Sequence, residues 1–184
     1  MLDWITRFFK RQERPHLAPA PARRRPDGFQ EASLEDEDFI FEQIQAEARA
    51  GHFNKDYLFS QTHSGLRIQL KSSILQHRCP SHRPGLMSSR LFVHILNDVP
   101  VGFSWAWEGQ KPGSWELYLL AVDSSHRKKG LGKALLDGTI SVFPSKSNFE
   151  ARLYKSSTTM KGMLESVGFV VSRKDKKLME YVSP

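Results

Sequence analysis

The stretch "WELYLLAVDSSHRKKGLGKALLDGTI", residues 115–140, decides the fold. It opens on a nearly all-apolar run, as expected of a central strand covered on both faces. It closes on a helical pattern that runs on to Val142, with Leu131, Ala134, Leu135 and Val142 as the expected buried stripe. Between the two stand Arg127, Lys128 and Lys129, followed by Gly130, Leu131, Gly132 and Lys133. A helix N-terminus presents unpaired backbone N–H groups and a partial positive charge, and both favour an anion. Glycines at 130 and 132 remove the β-carbons that would hold a phosphate off that backbone. Arg127, Lys128, Lys129 and Lys133 add charge-assisted donors. The turn thus predicts an anion site; the alternative is a solvated basic loop whose glycines serve chain reversal.

Upstream, "RLFVHIL", a "NDVP" turn, "VGFSWAWEG" and a "QKPGS" turn lead into the first strand, which predicts a meander of three antiparallel strands. Downstream, "NFEARLY" reads as a strand and "STTMKGMLESVG" as a helix closed by Gly168. "FVVSRKDKKLMEYV" reads as a hairpin turning at Lys174-Asp175. Nearer the N-terminus, Ser33 is a good N-cap for a helix carrying Phe39, Ile40, Ile44 and Ala48 on one face, with Gly51 ending it. Leu66, Ile68 and Leu70 alternate as in a strand, while Leu66, Leu70, Ile74 and Leu75 repeat as in a helix; we assign a helix. "CPSHRPG" reads as a loop.

The 184 residues suffice for one domain with a full core. A boundary near Phe29 divides a domain at 29–184 from an N-terminal appendage at 1–28. There "MLDWITRFFKRQ" spaces Leu2, Ile5, Phe8 and Phe9 as a short basic amphipathic helix, and "ERPHLAPAPARRRPDG" reads as an extended linker. A net charge of +7 and a pI near 9.6 favour anionic partners: a phosphorylated cofactor, nucleic acid or an acidic membrane surface. The basic segment suits contact with an anionic membrane, a protein or nucleic acid, with folding back on its own domain or disorder as the other readings. Cys79 is the single cysteine, which excludes an intramolecular disulfide and a cysteine metal cluster and suits a reducing cytoplasm. The seven histidines lack HxxxH or HExxH spacing, so no metal is expected. No apolar run is long enough to span a bilayer and no secretory signal opens the chain, so the expected location is cytoplasmic, at most peripheral to a membrane.

The 127–133 turn has neither P-loop spacing nor the βαβ context of a dinucleotide fingerprint. It resembles the coenzyme A signature [RQ]-x-x-G-x-[GA] of the GNAT N-acetyltransferase superfamily, met here by Arg127, Gly130 and Gly132. The preceding "ELYLLAV" and the later "MLESVGF" match that family's layout, and the resemblance runs from about residue 33 to the C-terminus. It implies an α+β fold: a mixed, mainly antiparallel sheet flanked by helices. It also implies acetyl-CoA as co-substrate, with Lys128 through Lys133 on the pyrophosphate. The pantetheine arm would lie along the strand backbone at Leu120, Ala121 and Val122, where the sheet splays. Ser157 stands where the family carries an asparagine, and is included among the cofactor-side residues.

Direct transfer needs an unprotonated amine, whereas a lysine side chain titrates at about 10.4 and an α-amine at about 7.7–8.0. Glu116, near the start of the apolar strand, occupies a position where some family members carry a glutamate base; the plain alternative is a carboxylate in solvent or paired with a lysine. On a regular strand it shares a face with Tyr118 and Leu120. The family's general-acid tyrosine position holds Leu164, leaving Tyr154 and Tyr118 as substitutes, or else as packing aromatics. Trp105 and Trp107 share a strand face, lining an acceptor pocket or packing the core. The expected function is transfer of acetyl from acetyl-CoA directly to a primary amine on a protein, a small molecule or a nucleic acid. The alternative, kept open by Leu164, is a catalytically weak acyl-CoA-binding interaction module that uses the basic N-terminal segment.

Overall fold

A computed structural model describes residues 24–80, 85–174 and 178–183. The amphipathic segment, most of the linker and the expected hairpin turn at Asp175 lie outside the described residues. In chain order the elements are β1 (Gly28–Glu31), a 3-10 turn (Leu34–Asp36), α1 (Glu37–Arg49), a second 3-10 turn (Lys55–Leu58), α2 (Ser60–Gln76), β2 (Arg78–Pro80), β3 (Leu86–Leu96), β4 (Val99–Glu108) and β5 (Ser114–Val122). A 3-10 turn (Ser124–His126) then leads to α3 (Leu131–Ser141), β6 (Asn148–Tyr154), α4 (Thr158–Ser166), β7 (Val170–Lys174) and β8 (Leu178–Val182).

The sheet runs β1-β3-β4-β5-β6-β8-β7, with β2 also on β3, and every pair is antiparallel except β5–β6. Helices cover both faces. On one, α1 and α2 bury Ile40, Ile44, Leu66 and Leu70 against Phe103, Trp105, Leu119 and Ala121. On the other, Leu136 of α3 and Leu164 of α4 close over Phe92, Ala106, Leu117 and Ala151. This is the α+β architecture expected.

Three local expectations change. The "CPSHRPG" loop begins as β2, because Cys79 pairs with Met87 and is fully buried. β1, absent from the sequence reading, pairs Gly28–Glu31 with Ile95–Phe92. The buried stripe of α3 runs through Leu135, Leu136 and Thr139, while Val142 is 40% exposed and Phe143 takes the inward place. The two competing periods around Leu66 resolve as the helix assigned, α2, with Leu66, Leu70 and Ser73 inward and Ile68 on the solvent side.

The linker's last arginine is already part of the domain. Arg25 grips fully buried Asp36 through both terminal guanidinium nitrogens, and the same carboxylate accepts from the Ser33 backbone N–H, as in a capping box, and from the Ser33 hydroxyl. Gly102 of β4 marks the tightest backbone approach. A β-carbon there lies 2.9 Å from the Ala121 carbonyl oxygen and 2.9 Å from Leu135 Cδ1. Because one neighbour is backbone, Gly102→Val is expected to cost about 2–3 kcal/mol, read as a lowered urea midpoint at unchanged slope.

Candidate active site

β5 and β6 run parallel for only three pairs, Ser114↔Asn148, Trp115↔Phe149 and Glu116↔Glu150. Beyond them β5 stays with β4 as far as Val122↔Gly102, while β6 stays with β8 as far as Tyr154↔Leu178. The two strands therefore part, and the edge of β5 from Leu117 to Val122 opens into a wedge. The expected splay is present, with Leu120, Ala121 and Val122 on its wall.

A bulge sits just past the closed end of the wedge. Trp105 faces Leu119 and Ala106 faces Leu117, so Tyr118 has no opposite residue. The extra residue resets the alternation. Glu116, Tyr118, Leu119 and Ala121 serve the α1–α2 side, while Leu117 and Leu120 pack with the α3–α4 side. The expectation that Leu120 shares a face with Glu116 and Tyr118 is thus corrected, since it assumed an unbroken period of two.

On the α1–α2 side the polar and aromatic groups converge. Glu116 is buried, and its carboxylate takes Arg152 Nε on Oε1 at 2.9 Å, Arg152 Nη2 on Oε2 at 2.8 Å and Trp107 Nε1 on Oε2 at 3.2 Å. Its partner is therefore an arginine, where the sequence left solvent or a lysine as the plain alternatives. Trp107 stacks on Tyr118 with ring centroids 3.4 Å apart, and Trp105 meets the same ring edge-on at 5.5 Å. The Tyr118 hydroxyl pairs with that of Tyr57. Burial is the main force raising both phenol pKa values, with Tyr118 adding to the effect on Tyr57, so both stay protonated at neutral pH. Tyr57 and Tyr118 line a pocket of about 590 Å³ with Asn54, Asp56, Thr62 and Gln69. Tyr154 is half-buried at the end of β6, and half-buried Ser157 precedes α4.

At the far end of the wedge the chain leaves β5 for the basic turn. Asp123 caps the 3-10 turn by accepting from the Ser125 N–H at 2.8 Å. Lys128 (φ 61°) and Gly130 (φ 80°) take left-handed conformations that reverse the chain ahead of α3. The Ala134 N–H bonds the Gly130 carbonyl at 3.0 Å and is the first α-helical bond. The amides of Leu131, Gly132 and Lys133 precede it and have no helical acceptor. A β-carbon at Gly132 would lie 3.1 Å from Met163 Sδ, so α4 packs directly against this turn. Lys128 and Lys129 are exposed, and Lys133 pairs with Asp137 one helical turn on. Arg127 is aimed elsewhere: Nε donates to the Val122 carbonyl at 3.0 Å and Nη2 to Glu47 of α1.

Three residues at this site escaped the sequence reading: Arg152, Tyr57 and Glu47. Arg152 was within reach, because alternation in "NFEARLY" puts Phe149, Ala151 and Leu153 inward and leaves Arg152 on the face Glu116 uses. Tyr57 sits in a 3-10 turn with no period to follow.

The profile of the Acetyltransferase (GNAT) family matches residues 52–169. The chain belongs to the GNAT acetyltransferase family. It is an acyltransferase whose co-substrate is acetyl-CoA. No curated protein sequence matches this acetyltransferase. Solved structures similar in fold include the PaiA N-acetyltransferase of Thermoplasma acidophilum in complex with coenzyme A, with 16% identity, TM-score 0.67, and 86% of this chain and 99% of that one covered. An acetyltransferase of Thermus thermophilus has 18% identity and TM-score 0.63 over 85% and 97%. A ribosomal-protein-alanine N-acetyltransferase of Brucella melitensis has 14% identity and TM-score 0.64 over 84% and 98%. The turn offers what an anion such as a pyrophosphate needs: three helix-start amides without a helical acceptor, glycines at 130 and 132, and the exposed Lys128 and Lys129. Among the described residues no group of three or more His, Cys, Asp or Glu is placed for a metal ion, and no helix is long and apolar enough to cross a membrane.

Proposed function

We propose that this GNAT acetyltransferase transfers acetyl directly from acetyl-CoA to a primary amine seated beside Tyr57 and Tyr118. The observation that carries the proposal is the wedge, which puts the Glu116–Arg152–Trp107 cluster at its closed end and the glycine turn at its open one. The amides of Leu131, Gly132 and Lys133, with Lys128 and Lys129 around them, hold the pyrophosphate. The free edge of β5 at Leu120–Val122 orients the pantetheine arm, and Ser157 borders it. Acetyl-CoA supplies an acyl group already activated as a thioester. Glu116 removes the proton of the amine through a water: Oε1 carries one donor and retains a lone pair, while Oε2 is filled by two. Arg152 and Trp107 fix the carboxylate. Tyr118 and Tyr57, both neutral, hold the amine against the strand, and Tyr154 closes the rim.

The acceptor is a protein, small-molecule or nucleic-acid-linked amine, and the basic N-terminal segment brings the enzyme to an anionic partner or membrane surface. A cytoplasmic location accords with the single buried thiol. One observation favours a second reading, a weakly catalytic acyl-CoA-binding module: Leu164 is fully buried in the core, so α4 brings no hydroxyl to this position.

Isothermal titration with acetyl-CoA, followed by a free-thiol release screen across amine classes, tests both. Micromolar binding with thiol release supports the enzyme, and binding without release with any amine favours the module. No binding at low-millimolar acetyl-CoA removes both. Tyr57→Phe is expected to lower stability by about 1 kcal/mol and to raise the amine KM more than it lowers kcat. A double-mutant cycle with Tyr118→Phe should be non-additive, because either change removes the same hydroxyl pair.

A further inference from the structure

We propose that Glu47 is a positioning residue that couples coenzyme binding at the 127–133 turn to the order of the segment 52–58, which carries Asn54, Asp56 and Tyr57 of the pocket proposed for the amine. The proposal rests on the reading that the turn binds the coenzyme.

Glu47 lies in the last turns of α1, its side chain 8% exposed beside Ile44 and Ala48. Its two oxygens serve groups from two separate stretches. Oε1 accepts from Arg127, 80 residues further on, and Oε2 accepts from His52 Nδ1 at 2.7 Å. Its backbone carbonyl takes the His52 N–H at 2.9 Å and the Phe53 N–H at 3.3 Å. Arg127 in turn holds the Val122 carbonyl at the end of β5. One buried carboxylate thus ties the end of the wedge strand, the basic turn and the first residue of the pocket segment.

From His52 the route onward is short. Asn54 accepts the Asp56 N–H at 3.1 Å and caps the 3-10 turn that carries Tyr57 onto Tyr118. A buried carboxylate deprived of either partner is costly, so the network favours arrangements in which all members are placed together. An anion that fixes the turn fixes Arg127, and through Glu47 it fixes His52 and the Tyr57 turn. Coupling of this kind is reciprocal: whatever orders 52–58 also tightens the coenzyme site. His52 has its side chain 40% exposed, so the contact on that side can be removed without opening the core.

The test is hydrogen exchange of the full chain with and without coenzyme A, beside isothermal titration, for the wild type, Glu47→Gln and His52→Ala. In the wild type, coenzyme A slows amide exchange both at 127–133 and at 52–58. In Glu47→Gln, which keeps one acceptor oxygen for two donors and puts an N–H donor in place of the other, slowing is confined to the turn and affinity falls by about 5- to 100-fold. His52→Ala keeps the slowing at 127–133, loses the response at 52–58 and loses less affinity than Glu47→Gln, a split that a merely structural role would not give. The coupling is overturned if coenzyme A binds the wild type without slowing exchange at 52–58, or if His52→Ala still transmits the full response. If Glu47→Gln fails to fold, His52→Ala decides alone. If the wild type binds no coenzyme A, the functional reading itself falls, and the coupling with it.

Discussion

Glu116→Gln is expected to lower kcat/KM by about 10²- to 10⁴-fold, the range for a positioned general base, while acetyl-CoA binding is retained. The amide keeps the volume of the carboxylate and can still accept from Trp107, so the stacked Trp107–Tyr118 pair has no reason to move. It loses the proton affinity and turns an N–H towards Arg152. Arg152 is 46% exposed, so water replaces much of the lost pairing and the stability cost is about 1 kcal/mol. Arg152→Met is the informative contrast. It strands the buried Glu116 carboxylate with one indole donor, and is expected to cost about 3 kcal/mol, more than Glu116→Gln. Thiol-release kinetics, thermal melts and titration on both variants separate the roles. A Glu116→Gln enzyme within tenfold of wild-type kcat/KM assigns Glu116 to anchoring alone.

The features legible in the sequence are those with a strong local cause. The apolar β5, the glycines of the turn and Gly168 behind α4 each impose a conformation on their own neighbours, and they predicted the three-strand meander, α3 and the order of elements from β3 onward. What was not legible depends on residues far apart. The bulge at Tyr118 exists because β4 offers two consecutive residues to three on β5, which no pattern within β5 encodes. β1 is four residues long, too short to show a period, and is defined by Phe92–Ile95 of β3 and by Phe29 lying against Gly138 of α3. The α3 stripe slipped because Phe143, beyond the helix, fills the place assigned to Val142. Arg127 was read as part of the anion site from its neighbours in sequence; Glu47, the residue that holds it, is 80 positions away.

Gly130→Val is expected to weaken acetyl-CoA binding by about 100-fold or more, equivalent to about 2.7 kcal/mol. At φ 80° the residue occupies the left-handed region, where a β-branched side chain is strained by about 1–3 kcal/mol. A β-carbon there meets nothing within 4 Å, so the cost falls on the backbone of the turn and not on the core. The chain relieves the strain by rotating the peptide units that open α3, and that rotation redirects the Leu131, Gly132 and Lys133 amides proposed to hold the pyrophosphate. Lys128→Ala and Lys129→Ala differ in kind. Each removes an exposed point charge, so each should weaken binding by a smaller factor that shrinks as salt is raised. The Gly130→Val loss should be nearly salt-independent, because directed amide bonds are lost instead of screened charge. Titrations at low and high ionic strength distinguish the two patterns. A Gly130→Val protein that binds within tenfold of wild type would place the pyrophosphate on the lysine side chains alone and remove the helix N-terminus from the site.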